Sequence, residues 1–392
     1  MRFPNFCTPW KIIPISNLLQ FQNGINGSPE QYGKGVKFIS VGDILNNIYI
    51  TYDNIKGLID IDEKTLNNYS VTYGDILFQR SSEIINDIGR TNVYLDKNNI
   101  ATFGGFVIRG KKIGQYNPVF FNYLLKSPSS RKSIIRLGAG AQHYNIGQEN
   151  IKTLNFYFPD ETEQAKIAYL FSKIDERIQT QIKIIENLYS QRKCIFLQLN
   201  NNYQHNKIKI NELGPVSIAN NLSKDDLVDD GRECILYGEL FTKYDLYTTH
   251  VISKTNKTYH TITSSGNDLL FPTSTTVNAI SLIKPLALCQ KDVILGGDMF
   301  SIKLNDTYDA IYISCLINYV YKKQLASKTQ GTTIVHLYYE NIKNEIIEIC
   351  DYEIQCKIAE YIKFITSKIE TEKELLNKLY LQKAYLLRNL FI

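Results

Sequence analysis

The sequence predicts an α+β protein in which two pseudo-symmetric globular domains of mixed α/β structure are separated by two long helices forming an antiparallel coiled coil. Three observations carry this expectation. Residues 163–200 occur twice: Gln164, Ala165, Lys166, Ile167 and Ala168 return as Gln355, Cys356, Lys357, Ile358 and Ala359, an offset of 191 (355 − 164) that holds without a gap to Leu199 and Leu390. Each copy carries apolar residues at heptad spacing. The stretches ahead of the two copies follow one plan, which places domains at 1–160 and 203–350 and helices at 161–202 and 351–392.

The helices come first because everything else is placed by them. In the first copy apolar residues fall at 167, 171, 174, 178, 185, 188, 195 and 199, alternating steps of four and three that draw a seam along one face. Neither Gly nor Pro interrupts either copy. A rod of this length is on the order of 60 Å. Two seam positions are polar in each helix: Gln181 and Arg192 in the first, Glu372 and Lys383 in the second. Parallel pairing in matched register would set Arg192 against Lys383, so antiparallel pairing is expected. The favoured register faces Arg192 with Glu372, Gln181 with Lys383 and Leu188 with Leu376. It leaves the layers Ile174 with Leu390, Ile178 with Leu386, Ile195 with Ile369 and Leu199 with Ile365 apolar.

Composition sets the outer bounds. A chain of 392 residues with 44% hydrophobic content supports two or more cores. Seven cysteines without a Cys-x-x-Cys pair and five scattered histidines point to a reducing compartment and to no structural metal. Residues 1–5 hold no apolar run of a signal peptide and no segment reaches membrane-spanning length, so the expected location is the cytoplasm and no membrane partner is expected. A net charge of +5 permits a polyanionic partner.

Within 1–160, strands are expected at residues 36–41, 75–78 and 106–109, with turns near Gly33, Gly74 and Gly104. Asn117 and Pro118 form a helix start, with residues 119–125 as its body. A basic helix or loop with Lys126, Arg131, Lys132 and Arg136 follows, then the small-residue loop 138–142. The second domain repeats this plan more loosely. Residues 207–210 stand for 12–15, 238–240 for 42–44, 268–271 for 75–78, Asp309 for Asn117, Gly331 for Gly140 and 340–343 for 149–152. Similarity is high in the helices and low in the loops, as in 79–90 against 272–283, so one scaffold carries two different binding surfaces.

Two sets of residues are candidates for binding. Arg131 and Lys132 map onto Lys322 and Lys323, and paired cations at matching places suit a phosphate backbone or else form a solvated helix face. The second set is loops: Gln79, Arg80, Ser81 and Ser82, with Gln142 and His143 followed by Tyr144 and Asn145, and in the other half Thr273, Ser274, Thr275, Lys328, Gln330 and Thr332. Arg, Gln and Asn are the side chains that bond bidentately to base edges, although loops of this composition are also ordinary polar connections. No catalytic set stands out. Asn117, Pro118, Val119 and Phe120 resemble the Asn-Pro-Pro-Phe/Tyr signature of amino-methyltransferases, but the third position is Val and a helix start explains them. The glycines of 103–106 lack the spacing of a cofactor loop.

The Glu163, Gln164 start running into the Ile/Leu heptad and ending in Gln191, Arg192 and Lys193 resembles the central conserved region of specificity (S) subunits of type I restriction-modification systems. Its second copy, from Gln355, resembles their distal conserved region. The step Gly74, Asp75, Ile76, Leu77 and the loop 140–146 resemble their target-recognition domains. The second copy departs from the pattern: it has Cys350, Asp351 and Tyr352 where a proline is usual, and it begins Ile354, Gln355. The resemblance implies a non-catalytic subunit in which two target-recognition domains each read half of an interrupted, asymmetric site on double-stranded DNA. It also implies two methyltransferase (M) subunits and restriction/translocase (R) subunits as partners, with S-adenosylmethionine, ATP and Mg held by them and no cofactor in this chain. Other readings are a specificity subunit for a methyltransferase without a restriction partner, a self-sufficient DNA-modifying nuclease, and a protein-binding adaptor.

Overall fold

The computed structural model describes residues 2–4, 6–140, 142–219 and 222–391; Met1, Asn5 and Ala141 of the small-residue loop lie outside them. The chain divides into two compact units, residues 1–183 with 374–392, and residues 184–373. The first long helix runs Glu161–Asn201 and the second Tyr352–Asn389, each without a break. Each helix therefore contributes one half of its length to each unit. No helix among the described residues is long and apolar enough to cross a membrane.

Unit 1 is built on an antiparallel sheet in the order Leu19–Asn23, Val107–Lys112, Ile76–Gln79, Thr91–Val93. A smaller sheet holds Gly57–Ile59, Tyr32–Ile39 and Thr102–Phe103. The strand expected at 36–41 thus starts earlier and stops at Ile39, because Ser40 and Asp43 form a reciprocal cap that turns Val41–Asn46 into a helix. A separate pair joins Lys11–Pro14 to Asn155–Phe158, whose alternation turns Phe156 and Phe158 inward. Asn117 caps Pro118–Lys126 by accepting from the Val119 and Phe120 amides, and Ser127 then starts the basic helix Pro128–Ile135.

Unit 2 repeats these parts with larger sheets. One runs Val216–Ala219, Met299–Lys303, Asp268–Pro272, Leu286–Leu288, Tyr247–Thr248, and the other Leu227–Val228, Ser253–Thr255, Arg232–Ile235, Lys291–Leu295, Ile262–Ser265. Asn206–Lys209 pairs with Ile346–Ile349 as Lys11–Pro14 pairs with Asn155–Phe158; Ile210, expected in the strand, already begins a 3-10 turn. Where unit 1 interrupts its helices at Ser127 and Pro128, unit 2 inserts a π-turn at Ile317–Tyr321, so the same joint is made without proline.

In both units the helix segments run antiparallel. In unit 1 Phe171 stacks near Phe391 while Asp175 meets Lys383, and in unit 2 Tyr189 meets Lys373 while Arg192 meets Thr366. Ile174, Ile178, Leu386 and Leu390 all lie in the unit 1 core, but the helices are not paired in the expected register. Lys383 meets Asp175 where Gln181 was expected and Arg192 meets Thr366 where Glu372 was expected, each displaced six residues, close to one heptad. The polar layers differ from the expectation. Arg192, almost fully buried, donates to Asp245 (2.6 Å), Tyr319 Oη (3.1 Å) and Thr366 Oγ1 (3.1 Å), so Asp245 of the globular part takes the role assigned to Glu372. Lys383 donates to Asp175 Oδ1 (2.5 Å), where Gln181 was the expected partner. These are matching sites: Asp175 corresponds to Thr366, and Lys383 to Arg192. One cation is kept in each half, buried as Arg192 and half-buried as Lys383, and its carboxylate moves from helix to sheet domain. Near the end of the first helix the buried positions are Phe196 and Asn200, with Ile195 and Leu199 only half-buried. A helix of 3.6 residues per turn drifts against a 3.5 repeat, and here its stripe turns toward the unit 2 core.

Both helix starts are locked by the same side chain. Gln164 Oε1 accepts from the Asn117 amide (2.9 Å) and its Nε2 donates to Pro159 O (3.0 Å). Gln355 Oε1 accepts from the Asp309 amide (3.0 Å) and its Nε2 donates to Cys350 O (2.8 Å). A carbonyl serves whether Pro or Cys carries it, so the missing proline leaves the second start intact. The change of Glu163 to Ile354 does alter contacts, since Glu163 is buried against Arg2 and Trp10. Gln164→Ala strands the buried Pro159 carbonyl and the half-buried Asn117 amide and is expected to cost about 1–3 kcal/mol. The midpoint of urea unfolding followed by fluorescence of Trp10, the only tryptophan, measures it, and an unchanged midpoint would show that the lock is dispensable.

Candidate nucleic-acid interface

The two loop sets singled out in the sequence meet in each unit. In unit 1 Ser81–Ser82 pairs antiparallel with Tyr144–Asn145, with Ser82 opposite Tyr144 and Ser81 opposite Asn145. In unit 2 Ser274–Thr275 pairs with Val335–His336, with Ser274 opposite His336 and Thr275 opposite Val335. The strands leading in, Ile76–Gln79 and Asp268–Pro272, are buried along their whole length, so each two-stranded ledge stands on a rigid base. The turn behind each ledge is made by glycine in a conformation that L side chains rarely adopt, Gly140 at φ 132° and Gly331 at φ 100°. A Cβ there would sit 2.1 Å from His143 O or Ile334 O, so both turns require glycine.

Around these ledges the side chains divide into exposed and committed groups. Gln142 and His143 are exposed in unit 1, as are Gln330 and Thr332 in unit 2. Arg80 is half-buried, with Nη1 3.3 Å from Gly105 O, and its backbone is tied to Phe106 and Ile146. Ser81 Oγ bonds Asn145 Oδ1, Ser82 Oγ accepts from the Ile84 amide (3.1 Å), and Thr275 Oγ1 accepts from the Val277 amide (3.3 Å). Thr273 fixes the ledge through its backbone, donating to Asp298 O (2.9 Å) and accepting from the Leu337 amide (2.9 Å).

Three expected contact residues are committed elsewhere. Gln79 is buried, with its amide folded back on Ser81 O (2.9 Å), because its position is the last of a fully buried strand. Lys328 is held by Glu345 at 2.7 Å. The Arg131 guanidinium donates to Gly89 O (2.8 Å), Ile88 O (2.7 Å) and Asn86 O (3.1 Å), and burial, with Arg90 nearby, pushes it down to about 10. Its neighbour Lys132 is exposed. In unit 2 Lys323 is exposed, while Lys322 is half-buried and lowered by burial and then by Lys193. The residues that keep the expected freedom for a phosphate are therefore Lys132 and Lys323.

Some neighbours of the ledges were missed by sequence reasoning. Phe106 is 67% exposed beside Arg80, and His336 stacks on Tyr338 with ring centroids 5.9 Å apart. The signal for Phe106 lay in a segment dismissed as a cofactor loop: an aromatic after two glycines at a strand start. A cleft of about 420 Å³ in unit 1 is lined by Asn47, Asn86, Arg90, Thr91, Lys126 and Arg131 among others. Burial, with Lys383 second, lowers Lys126 there to about 7. Lys126 Nζ reaches Ile48 O (3.4 Å); its equivalent in unit 2 is Ile317, and there Lys284 serves the Phe241 and Tyr244 carbonyls at the end of the short helix Tyr237–Thr242.

Two sheet domains of one design, each carrying a ledge whose residues differ from those of the other and joined through duplicated long helices, define a class of paired recognition modules. The family model described as type I restriction modification DNA specificity domain matches residues 8–188 and again 204–381, and the chain belongs to that family. A protein of Methanocaldococcus jannaschii, described provisionally as the specificity subunit of the type I restriction enzyme MjaX, is 25% identical over 215 residues. That match takes in 53% of this chain and 49% of the other, so the chain spans about half the length of this curated relative. Among solved structures, the S subunit of a type I restriction-modification system from M. genitalium shares the fold with a TM-score of 0.57 at 17% identity, covering 100% of this chain and 97% of that one. A chain from a study of complex assembly and conformational transition in the type I restriction-modification system gives 0.60 at 10% identity, covering 98% and 99%.

Proposed function

We propose that this chain is the DNA-specificity subunit of a type I restriction-modification complex, reading a bipartite, asymmetric duplex site with one half assigned to each ledge. The observation that carries this reading is the paired ledge itself: the same strand register and the same glycine turn in both units, with different residues on each. A rigid base with divergent polar side chains is what base-edge readout in a groove needs, and each well-made bidentate contact discriminates by roughly 1–3 kcal/mol. Exposed lysines at matching positions, Lys132 and Lys323, supply salt-dependent affinity for the backbone. The chain is non-catalytic in this reading. Two methyltransferase subunits bring S-adenosylmethionine, and restriction/translocase subunits bring ATP and Mg, all in the cytoplasm.

The test is to methylate plasmid DNA with the purified chain, with its cognate methyltransferase subunits, and with both. Sequence-specific methylation at one interrupted site is expected only from the mixture. Robust methyl transfer or cleavage by the chain alone would refute the reading.

A further inference from the structure

The loop between the unit 1 ledge and the strand Thr91–Val93 holds itself through the amides of Asp87, Ile88 and Arg90, which donate to Ile84 O, Ile85 O and Asp87 O, but these bonds leave the carbonyls of Asn86, Ile88 and Gly89 to other partners. It contains one 3-10 turn, Ile85–Asp87, and then the backbone carbonyls of Asn86, Ile88 and Gly89, which converge on one guanidinium. Carbonyls turned inward at the end of so short a turn need partners from outside it. The planar fork of arginine can serve three at fixed angles, and the single ammonium of lysine cannot reproduce that fork. Both terminal nitrogens of Arg131 are committed in this way.

The same loop is fastened at its other edge. Gly89 N donates to Gln79 O (3.0 Å) and Gln79 N donates to Arg90 O (2.8 Å), closing it onto the strand immediately before Arg80, Ser81 and Ser82. Gly89 has φ 63°, and a Cβ on it would lie 2.5 Å from Ile134 Cγ2, so the loop is pressed against the helix that carries Arg131. Ile88 beside it is fully buried. Unit 2 solves the same problem differently: its matching loop winds into a helical turn, Ala279–Leu282, capped by Asn278 with Ser281, and the position of Arg131 is held by Lys322.

We propose that Arg131 is a positioning residue for specificity: it clamps the loop 83–90 and so fixes the ledge with which unit 1 reads its half-site. This rests on the DNA-reading function proposed above. A phosphate contact at this position would spend the guanidinium on solvent-facing charge, whereas three backbone carbonyls hold it. Arg131 in this role sets which bases are accepted and leaves overall affinity for DNA to exposed cations such as Lys132.

The experiment uses the full chain in complex with its methyltransferase subunits and compares Arg131→Lys, Arg131→Gln and Gly89→Ala with wild type. Arg131→Lys keeps the charge and loses the fork; Gly89→Ala disturbs the same loop without touching a charge. Methylation rates on duplexes altered at single positions are expected to show roughly tenfold loss of discrimination at the unit 1 half-site in all three variants, one good base contact's worth. The other half-site is the internal control for folding and stays unchanged, as does the slope of log affinity against log salt. Amide exchange of residues 84–90 in the variant chains is expected to speed up.

Full selectivity in Arg131→Lys would overturn the proposal. So would Arg131→Gln that weakens all sequences alike and flattens the salt slope by about one charge while residues 84–90 stay protected, the signature of a phosphate contact. If the wild-type complex shows no sequence selectivity, the DNA-reading function itself fails and the specificity role falls with it. The exchange measurement still separates that outcome, because it reports on the clamp without DNA.

Discussion

Replacing residues 1–160 with the matching region of a related chain is expected to change one half of the methylated site completely, while the other half and the gap between the halves stay as they were. The ledge of unit 1 and every strand beneath it lie within the exchanged segment, and the ledge of unit 2 lies outside it. The boundary matters. A junction at 155 would cut the strand Asn155–Phe158 away from its partner Lys11–Pro14, exposing two buried phenylalanines, so the graft has to end between that strand and the helix that starts at Glu161. What the graft must bring is also specified. It meets the retained helices through the Asn117 amide on Gln164, Arg2 and Trp10 on the buried Glu163, Tyr123 on Asp175 and Phe171, and Phe120 on Phe391. The first is a backbone contact that any sequence provides; the others need a cation and an indole for Glu163, a hydroxyl-bearing aromatic for Asp175 and an aromatic for Phe391 at matching positions. Methylome sequencing of a host expressing the hybrid with its methyltransferase subunits reads the outcome. Simultaneous change of both halves, or of neither, would contradict the modular assignment.

What the sequence made legible was whatever is repeated or local. The 191-residue offset found both long helices, and the seam placed Ile174, Ile178, Leu386 and Leu390 in one core. Glycines at matching points, 140 and 331, marked turns whose partners are local. Contacts between a helix and a sheet domain were not legible, because no periodicity encodes them. The pairing of Arg192 with Asp245 joins a seam position to a loop 53 residues away, and helix-to-helix reasoning could only offer Glu372. Arg131 shows a related limit: its offset partner Lys322 suggested a shared role, while the loops that the two face have diverged into a 3-10 turn and a capped helical turn. Equivalent positions in a duplicated scaffold keep their backbone roles, as Gln164 and Gln355 do, and lose their side-chain roles wherever the opposing loop changes.

Asp75 and Asp268 extend that distinction into a stability difference. Both open the central strand of their sheet at the same place, and both accept from backbone amides: Asp75 from Thr72 (2.9 Å) and Lys112 (2.8 Å), Asp268 from Ser265 (2.6 Å) and Gly266 (2.9 Å). Across the sheet Leu77 faces Arg109, and Leu270 faces Ser301 in the second copy. Arg109 Nε and Nη2 lie 2.8 and 2.7 Å from Asp75 Oδ2, and the two side chains are 4% and 1% exposed, so this is a dry ion pair. Asp75→Asn leaves a buried guanidinium with no counter-charge and is expected to cost about 3–5 kcal/mol. Asp268→Asn removes a charge that opposes only amides and hydroxyls, and a cost of about 1–3 kcal/mol is expected. Arg109→Ser should be milder than Asp75→Asn, because it leaves a carboxylate in the kind of setting that Asp268 already tolerates. Trp10 fluorescence during urea unfolding reports on unit 1, where its indole packs near Phe120, and amide exchange at residues 269–271 reports on unit 2. Equal losses for Asp75→Asn and Asp268→Asn, or a larger loss for Arg109→Ser than for Asp75→Asn, would show that the amide cradle, and not the buried arginine, decides the worth of the carboxylate.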